Sequence, residues 1–304
     1  MRRAAALVAL LCLAGCGVGE GEERAGEGAQ LRVTRDFGRE LLSRGSQEKL
    51  REGSTAMRLV QRANDVETRY GGRFVQSIDG LKGGGAGGSA DWFFFVNGLE
   101  ADVGAAEYEL SPGDVVQWDY RNWRGTPDVR AIVGAFPEPF LNGTEGKRRP
   151  VRVECADADE ACDTVKRTLR DAGVPATGST IGASGTNNVI RVVVAPWRRA
   201  RDLPSVRPLE GPPQRSGVFA RFGEDGSLTL LDQRGRTVRE AGAGSGLIAA
   251  LIPRDDELVW VVTGDSAKAV DAAATALDAS TLRDAFAVAV TRAGVQKLPL
   301  ERGP

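Results

Sequence analysis

Hydrophobic positions along the chain follow two periods, two in some stretches and three to four in others, and their succession predicts the element order. Leu31, Val33 and Arg35 alternate with Arg32 and Thr34, as a strand does. Ala56, Leu59, Val60 and Ala63 fall at i, i+3, i+4 and i+7, which predicts a helix with Ser54 as its cap and Asn64 at its end. Gly71-Gly72 turns the chain into the strand-like run Arg73-Phe74-Val75-Gln76-Ser77-Ile78. Asp91-Trp92-Phe93-Phe94-Phe95-Val96 is aromatic and β-branched and ends in Asn97-Gly98, a pair that tolerates positive φ and signals a hairpin. Ser111-Pro112-Gly113-Asp114 makes another turn, before Val115-Val116-Gln117-Trp118-Asp119-Tyr120. One helix among several strands predicts an α+β unit, β-grasp-like, over residues 30–123.

The pattern then changes. Residues 124–150 carry Pro127, Pro137, Pro139 and Pro150 and predict a Pro/Gly-rich connector, within which Lys147-Arg148-Arg149 is a solvated basic cluster. Val151-Arg152-Val153-Glu154-Cys155 alternates as a strand. Ala161, Val165, Leu169 and Ala172 follow at helical spacing, with Gly173 as the stop. Val189-Ile190-Arg191-Val192-Val193-Val194 predicts a buried strand, and residues 217–222 and 227–231 predict a hairpin across Glu224-Asp225-Gly226. Leu247-Ile248-Ala249-Ala250-Leu251, after a glycine-rich turn, predicts a short helix. Leu258 to Thr263 predicts a strand. Asp265 is the expected cap of a helix bearing Val270, Ala273, Ala274 and Leu277, and Phe286 to Val290 is the expected closing strand. These elements predict a second domain, of the α/β class, over residues 151–298.

Composition narrows the chemistry. Among 304 residues there is no histidine, which removes Ser-His-Asp and Cys-His triads and histidine metal sites together. The acid runs Asp157-Ala158-Asp159-Glu160 and Asp255-Asp256-Glu257 read as solvated loops, with Asp157 or Asp159 capping a helix, so no enzyme is expected. A net charge of −1 gives no drive toward nucleic acid, and none is expected as a partner. Gly83 to Gly88 lacks the Gly-Lys-Ser/Thr of a phosphate loop. The glycines at 242–246 follow a weak, polar segment rather than the strand a dinucleotide fold requires.

Arg2-Arg3 and the apolar run Ala4 to Leu13 form a signal-peptide pattern, too short to span a bilayer. It ends in Leu13-Ala14-Gly15-Cys16, which resembles the bacterial lipoprotein cleavage box. The resemblance implies a signal peptide over 1–15, lipidation at Cys16, and attachment to the cell membrane on its extracytoplasmic face, with the lipid bilayer as partner. Residues 16–29 read as a flexible acidic tether. Cys12 then leaves with the signal peptide and Cys16 carries lipid. Cys155 and Cys162 remain, an even number in an exported protein, and predict a disulfide from a strand end to the first turn of the next helix.

The run Trp92 to Gly98, followed by Ser111 to Trp118, resembles the transcobalamin C-terminal-like domain of bacterial surface proteins, over about 90 residues. The resemblance implies a β-grasp-like fold and binding of a small ligand, a vitamin or cobalamin-like solute, or contact with a membrane transporter for uptake. No other cofactor is expected. The alternative reading is a non-catalytic envelope interaction or scaffold protein. Trp92, Phe94 and Val96 share one strand face and Phe93 and Phe95 the other. Trp92, Phe94, Asn97, Trp118, Tyr120 and Trp123 are the candidate ligand-binding residues, as aromatic faces offer a platform for a flat ligand.

Overall fold

Leu31 and Val33 place their side chains on one side of strand Ala29–Arg35, and Arg32 and Thr34 lie on the other; both sides are covered by protein. A computed structural model describes residues 28–84, 88–125, 128–157, 159–185, 188–254 and 257–301. The expected signal peptide, Cys16 and all but the last two tether residues lie outside the described residues. The strand forms an antiparallel hairpin with Glu40–Gln47 and runs parallel to Val115–Asn122, whose other edge pairs antiparallel with Ala90–Val96. Leu99–Glu100 completes a five-stranded sheet. Helix Ala56–Ala63 crosses its first face, packing Met57, Leu59 and Val60 onto Leu31, Val33, Val96 and Trp118. Its cap is Thr55, one residue beyond the expected Ser54. The Ser54 hydroxyl instead accepts from Arg51 N–H and from the Gln47 amide, tying the preceding loop.

The second unit is built on a seven-stranded sheet in the order Ala176–Thr180, Val151–Cys155, Ile190–Pro196, Glu257–Gly264, Gly246–Arg254, Ala287–Thr291, Gly294–Leu298. Its first four strands are parallel and the rest antiparallel. Helices Glu160–Asp171 and Ala267–Thr275 cover one face through Val165, Leu169, Val270 and Ala274. The three-stranded sheet Ala220–Phe222, Leu228–Leu231, Thr237–Glu240 covers the other, with Trp197 stacked on Phe222 at 4.2 Å. Another small sheet, Val66–Arg69, Phe74–Ile78 and Leu81–Lys82, belongs to the first unit. The chain is thus mixed α+β, mostly strands in several sheets. Cys155 and Cys162 form the disulfide, joining the end of their strand to the first turn of the helix capped by Asp159.

Residues 247–251 are strand rather than the expected helix. Leu247, Ala249 and Leu251 face the three-stranded sheet, while Ile248 and Ala250 face the helices. A strand buried on both faces carries no polar alternation, so its period cannot be told from that of a buried helix. Ser266, not Asp265, caps the last long helix; Asp265 turns back to accept from the N–H groups of Gly244 and Ser245. Phe286 to Val290 does not close the sheet, because Gly294–Leu298 lies outside it.

The second face of the five-stranded sheet carries Arg32, Thr34, Phe93, Phe95, Gln117, Asp119 and Arg121, and it packs on the second unit. Arg32 donates to Gly134 O at 2.9 Å and pairs with Asp284 at 3.4 Å. The Gln117 amide donates to Asp284 O at 3.2 Å. Asp119, fully buried, accepts from the Thr34 hydroxyl and from Phe37 and Gly38 N–H at 2.7–3.0 Å. It thereby holds Asp36, Phe37 and Gly38 in successive left-handed conformations. That turn drives Phe37 between Phe219 and Phe286, edge-to-face at 4.8 and 5.2 Å. Gly38 is required there, as a Cβ would overlap Asp284 O at 1.7 Å.

Arg121 sits at the centre with no exposed surface. Its guanidinium lies 4.1 Å from the Phe93 ring, with Phe37, Phe95 and Phe286 within 6 Å, and Nη2 donates to Glu100 at 3.1 Å. Burial lowers the arginine's pKa and raises those of Glu100 and Asp119, each against the pull of its charged neighbours. Removing one partner of such a pair leaves the other uncompensated. Arg121→Ala is expected to cost about 3–5 kcal/mol in denaturant unfolding. Arg121→Met with Glu100→Gln should recover most of that loss, and failure to recover would show that packing rather than charge is at stake.

Candidate functional site

The aromatic strand is positioned by its two-residue turn, Asn97 and Gly98, at φ 53° and 80°. Asn97 is fully buried and uses its side chain internally. Its amide donates to Asp114 at 2.8 Å and to Gly143 O at 2.7 Å, and its carbonyl accepts from Val115 N–H. Trp92 and Trp118 are buried in the first unit's core, the Trp92 indole donating to Leu81 O. Phe94 is half-buried and stacks on Trp118 at 4.9 Å. Tyr120, also half-buried, meets Trp92 at 5.3 Å and donates from its hydroxyl to Lys82 O. Trp123 is exposed beyond the strand end. The six expected residues thus lie on one strand pair, but only Phe94, Tyr120 and Trp123 keep any outward surface.

Beside Asn97 lies a small buried carboxyl cluster. Asp114 accepts from Asn97 and from Ser111 N–H. Glu138 accepts twice from Asn142, through backbone and side chain. Burial raises both carboxyls, Glu138 to about 7, with Asp114 adding repulsion.

A groove opens where three distant segments meet. Arg39 arrives from the turn pinned by Asp119, Val238 and Arg239 from the edge strand Thr237–Glu240, and Gln296, Lys297 and Glu301 from the chain's last strand and its extension. It encloses about 430 Å³, and an adjoining recess of about 280 Å³ adds Asp36, Asp232 and Arg236. Arg39 pairs with Glu301 and donates to Pro299 O at 2.6 Å. Arg236 pairs with Asp232 at 2.8 Å. Lys297 donates to Arg283 O at 2.6 Å, and Arg239 reaches the Gln296 side-chain oxygen at 3.4 Å. Those last two cations therefore meet neutral oxygens. Sequence reasoning missed the groove, because no motif links residues 39, 239 and 297; each is one basic residue in a polar segment. Among the described residues no three His, Cys, Asp or Glu side chains converge as metal ligands, and no helix is long and apolar enough to cross a membrane.

The carboxyl cluster sets a pH dependence. Folded Glu138 keeps its proton to about pH 7, whereas the unfolded carboxyl releases it near 4.5, so folding takes up a proton between those values. Stability is expected to fall as pH rises from about 4.5 to 7 and to level off above. Glu138→Gln should flatten that decline in urea titrations at pH 5 and 7.5; an unchanged slope would place its origin elsewhere.

The family model described as a domain of unknown function, DUF4430, matches residues 53–122, the helix and the strands that follow it in the first unit. No curated protein matches the chain. Solved structures do match, among them a candidate metal-binding protein from Ruminococcus gnavus. It is 13% identical, with 31% of this chain and 96% of that one covered, at a TM-score of 0.25. At that score the likeness says nothing of function.

Proposed function

We propose that this is a lipid-anchored protein of the extracytoplasmic membrane face that binds a small ligand and serves an uptake system without catalysing a reaction. Its first unit is a β-grasp domain of the transcobalamin C-terminal-like kind. That assignment is supported by the hairpin, the crossing helix and the parallel pairing of Ala29–Arg35 with Val115–Asn122. The anchor rests on Leu13-Ala14-Gly15-Cys16. One observation carries the binding reading: a groove of ligand size at the junction of the two units, with Arg39 and Arg239 on its walls. Such junctions favour ligands because separate segments can converge on one solute. Cationic walls favour carboxylate or phosphate groups. On this reading the ligand lies away from the aromatic strand, whose tryptophans are committed to the core.

Thermal unfolding of the full chain in detergent, with cobalamin, cobinamide, other vitamins and small carboxylates and phosphates, tests the reading. A ligand at a hundred times its Kd adds about 2.7 kcal/mol, a shift of several degrees. Arg39→Glu should abolish the shift, and silence across the panel would sink the small-solute reading. Cys16→Ser should move the protein from the membrane to the soluble fraction of fractionated cells; unchanged partition would remove the lipid anchor.

A further inference from the structure

Among the described residues few large apolar side chains stay exposed, and three of them, Tyr70, Phe74 and Val103, gather at one place. Tyr70 and Phe74 close the hairpin between Val66–Arg69 and Phe74–Ile78, their rings edge-to-face at 6.3 Å. Val103 adjoins Gly104, where a Cβ would lie 3.7 Å from Arg73 O. The hairpin packs through Val75 and Ile78 into the core on the first face of the five-stranded sheet, and the second unit takes the other face. The tip therefore belongs to the side away from the second unit. Tyr70 is 79% exposed at φ 52°. A left-handed turn position favours glycine or asparagine, so an exposed tyrosine there brings the fold neither backbone ease nor packing.

Chemistry says what the tip meets. Arg69 and Arg73 flank the rings, and Arg73 holds Glu107 only at 3.8 Å, with both side chains mostly in solvent. Exposed pairs of that length hold weakly. Aromatic rings with guanidiniums beside them suit a bilayer interface, where rings sit at headgroup level and arginines reach lipid phosphates. Three side chains are too few for a stable protein interface, which takes about 800 Å² from each partner. They suffice for a tip that an anchor already holds near lipid. The reach is there: twelve residues, Gly17 to Gly28, follow Cys16 before the first strand. Extended, they span about 40 Å. A unit of this size is about 30 Å across.

We propose that the hairpin tip, residues 69–74 with Val103 beside it, seats in the interface of the phospholipid bilayer to which Cys16 holds the chain. Tyr70 and Phe74 enter the headgroup–acyl boundary, and Arg69 and Arg73 take lipid phosphates. The proposal rests on the membrane location already proposed and adds the face that meets the lipid. So seated, the second unit and its groove turn toward the medium.

The test uses the full chain, purified from membranes and reconstituted into phosphatidylcholine vesicles. A bimane label is placed by Val103→Cys at the tip or by Val295→Cys on the far edge of the second unit, both exposed positions. The unaltered chain, treated alike, sets the background. Lipids with nitroxide-bearing acyl chains are expected to quench the label at 103 about twofold or more and to leave that at 295 unchanged. Tyr70→Ser with Phe74→Ser should abolish the quenching at 103, and Arg69→Glu with Arg73→Glu should reduce it. The comparison of 103 with 295 keeps both rings and both arginines, so it stands even where a variant fails to fold. A label at 103 that floats with the vesicles yet escapes quenching overturns the tip contact and leaves the anchor. Shielding of that label from aqueous iodide without lipid quenching gives the tip to a protein partner or a second copy, and overturns it too. Quenching that survives the loss of both rings does the same. A chain that does not float with vesicles at all removes anchor and tip together.

Discussion

A five-stranded sheet that must hide both of its faces is the constraint from which the rest of this protein follows. One face is apolar and takes a short helix together with Val75 and Ile78 of the small sheet. The other bears Arg32, Gln117, Asp119 and Arg121, groups whose burial costs free energy unless each finds a partner. The second unit supplies some: Gly134 O for Arg32, Asp284 O for Gln117, and Phe286 within the ring cage around Arg121. The first unit supplies others, Glu100 for Arg121 and the Phe37–Gly38 amides for Asp119. A face built this way can meet one surface only, because a shifted partner would strand several buried polar groups together. The two units are therefore held in register by polar contacts at Arg32 and Gln117 together with the packing of Phe37 and Phe95 against Phe286.

The groove is a by-product of that register. Arg39 reaches it because Asp119 holds the turn before it, and Gly38 allows that turn to lie against Asp284. The walls come from sheets of the second unit, whose edges separate beyond Leu300. Interface and groove thus share the segment 36–39, and what loosens Phe37 also moves Arg39.

Much of the local structure was legible in the sequence and the key contacts were not. Asn97-Gly98, the helix bearing Leu59 and Val60, and the pairing of Cys155 with Cys162 are local signals, and each describes the structure well. The alternation of Gln117, Asp119 and Arg121 with Val116, Trp118 and Tyr120 shows two faces, yet a polar face ordinarily meets water. Its burial here depends on residues more than a hundred positions away, which no window of sequence can display. The edge strands Glu40–Gln47, Ala176–Thr180 and Gly294–Leu298 escaped notice for a related reason. With one neighbour and much exposed surface, they carry few apolar residues to mark them. Residues 247–251 failed the opposite way, being apolar on every side.

The parallel pairing of Ala29–Arg35 with Val115–Asn122 has a consequence for how the molecule comes into being. If the chain crosses a membrane N-terminus first, its opening strand must wait for a partner that emerges much later. Once that sheet closes, its second face still waits for Phe286, near the far end of the chain. Through that interval Phe37, Phe93 and Phe95 stand uncovered, an adhesive surface on a half-made protein. Chains cut short before the last strands would lack Phe286, the ring that packs on Phe37 and Phe95.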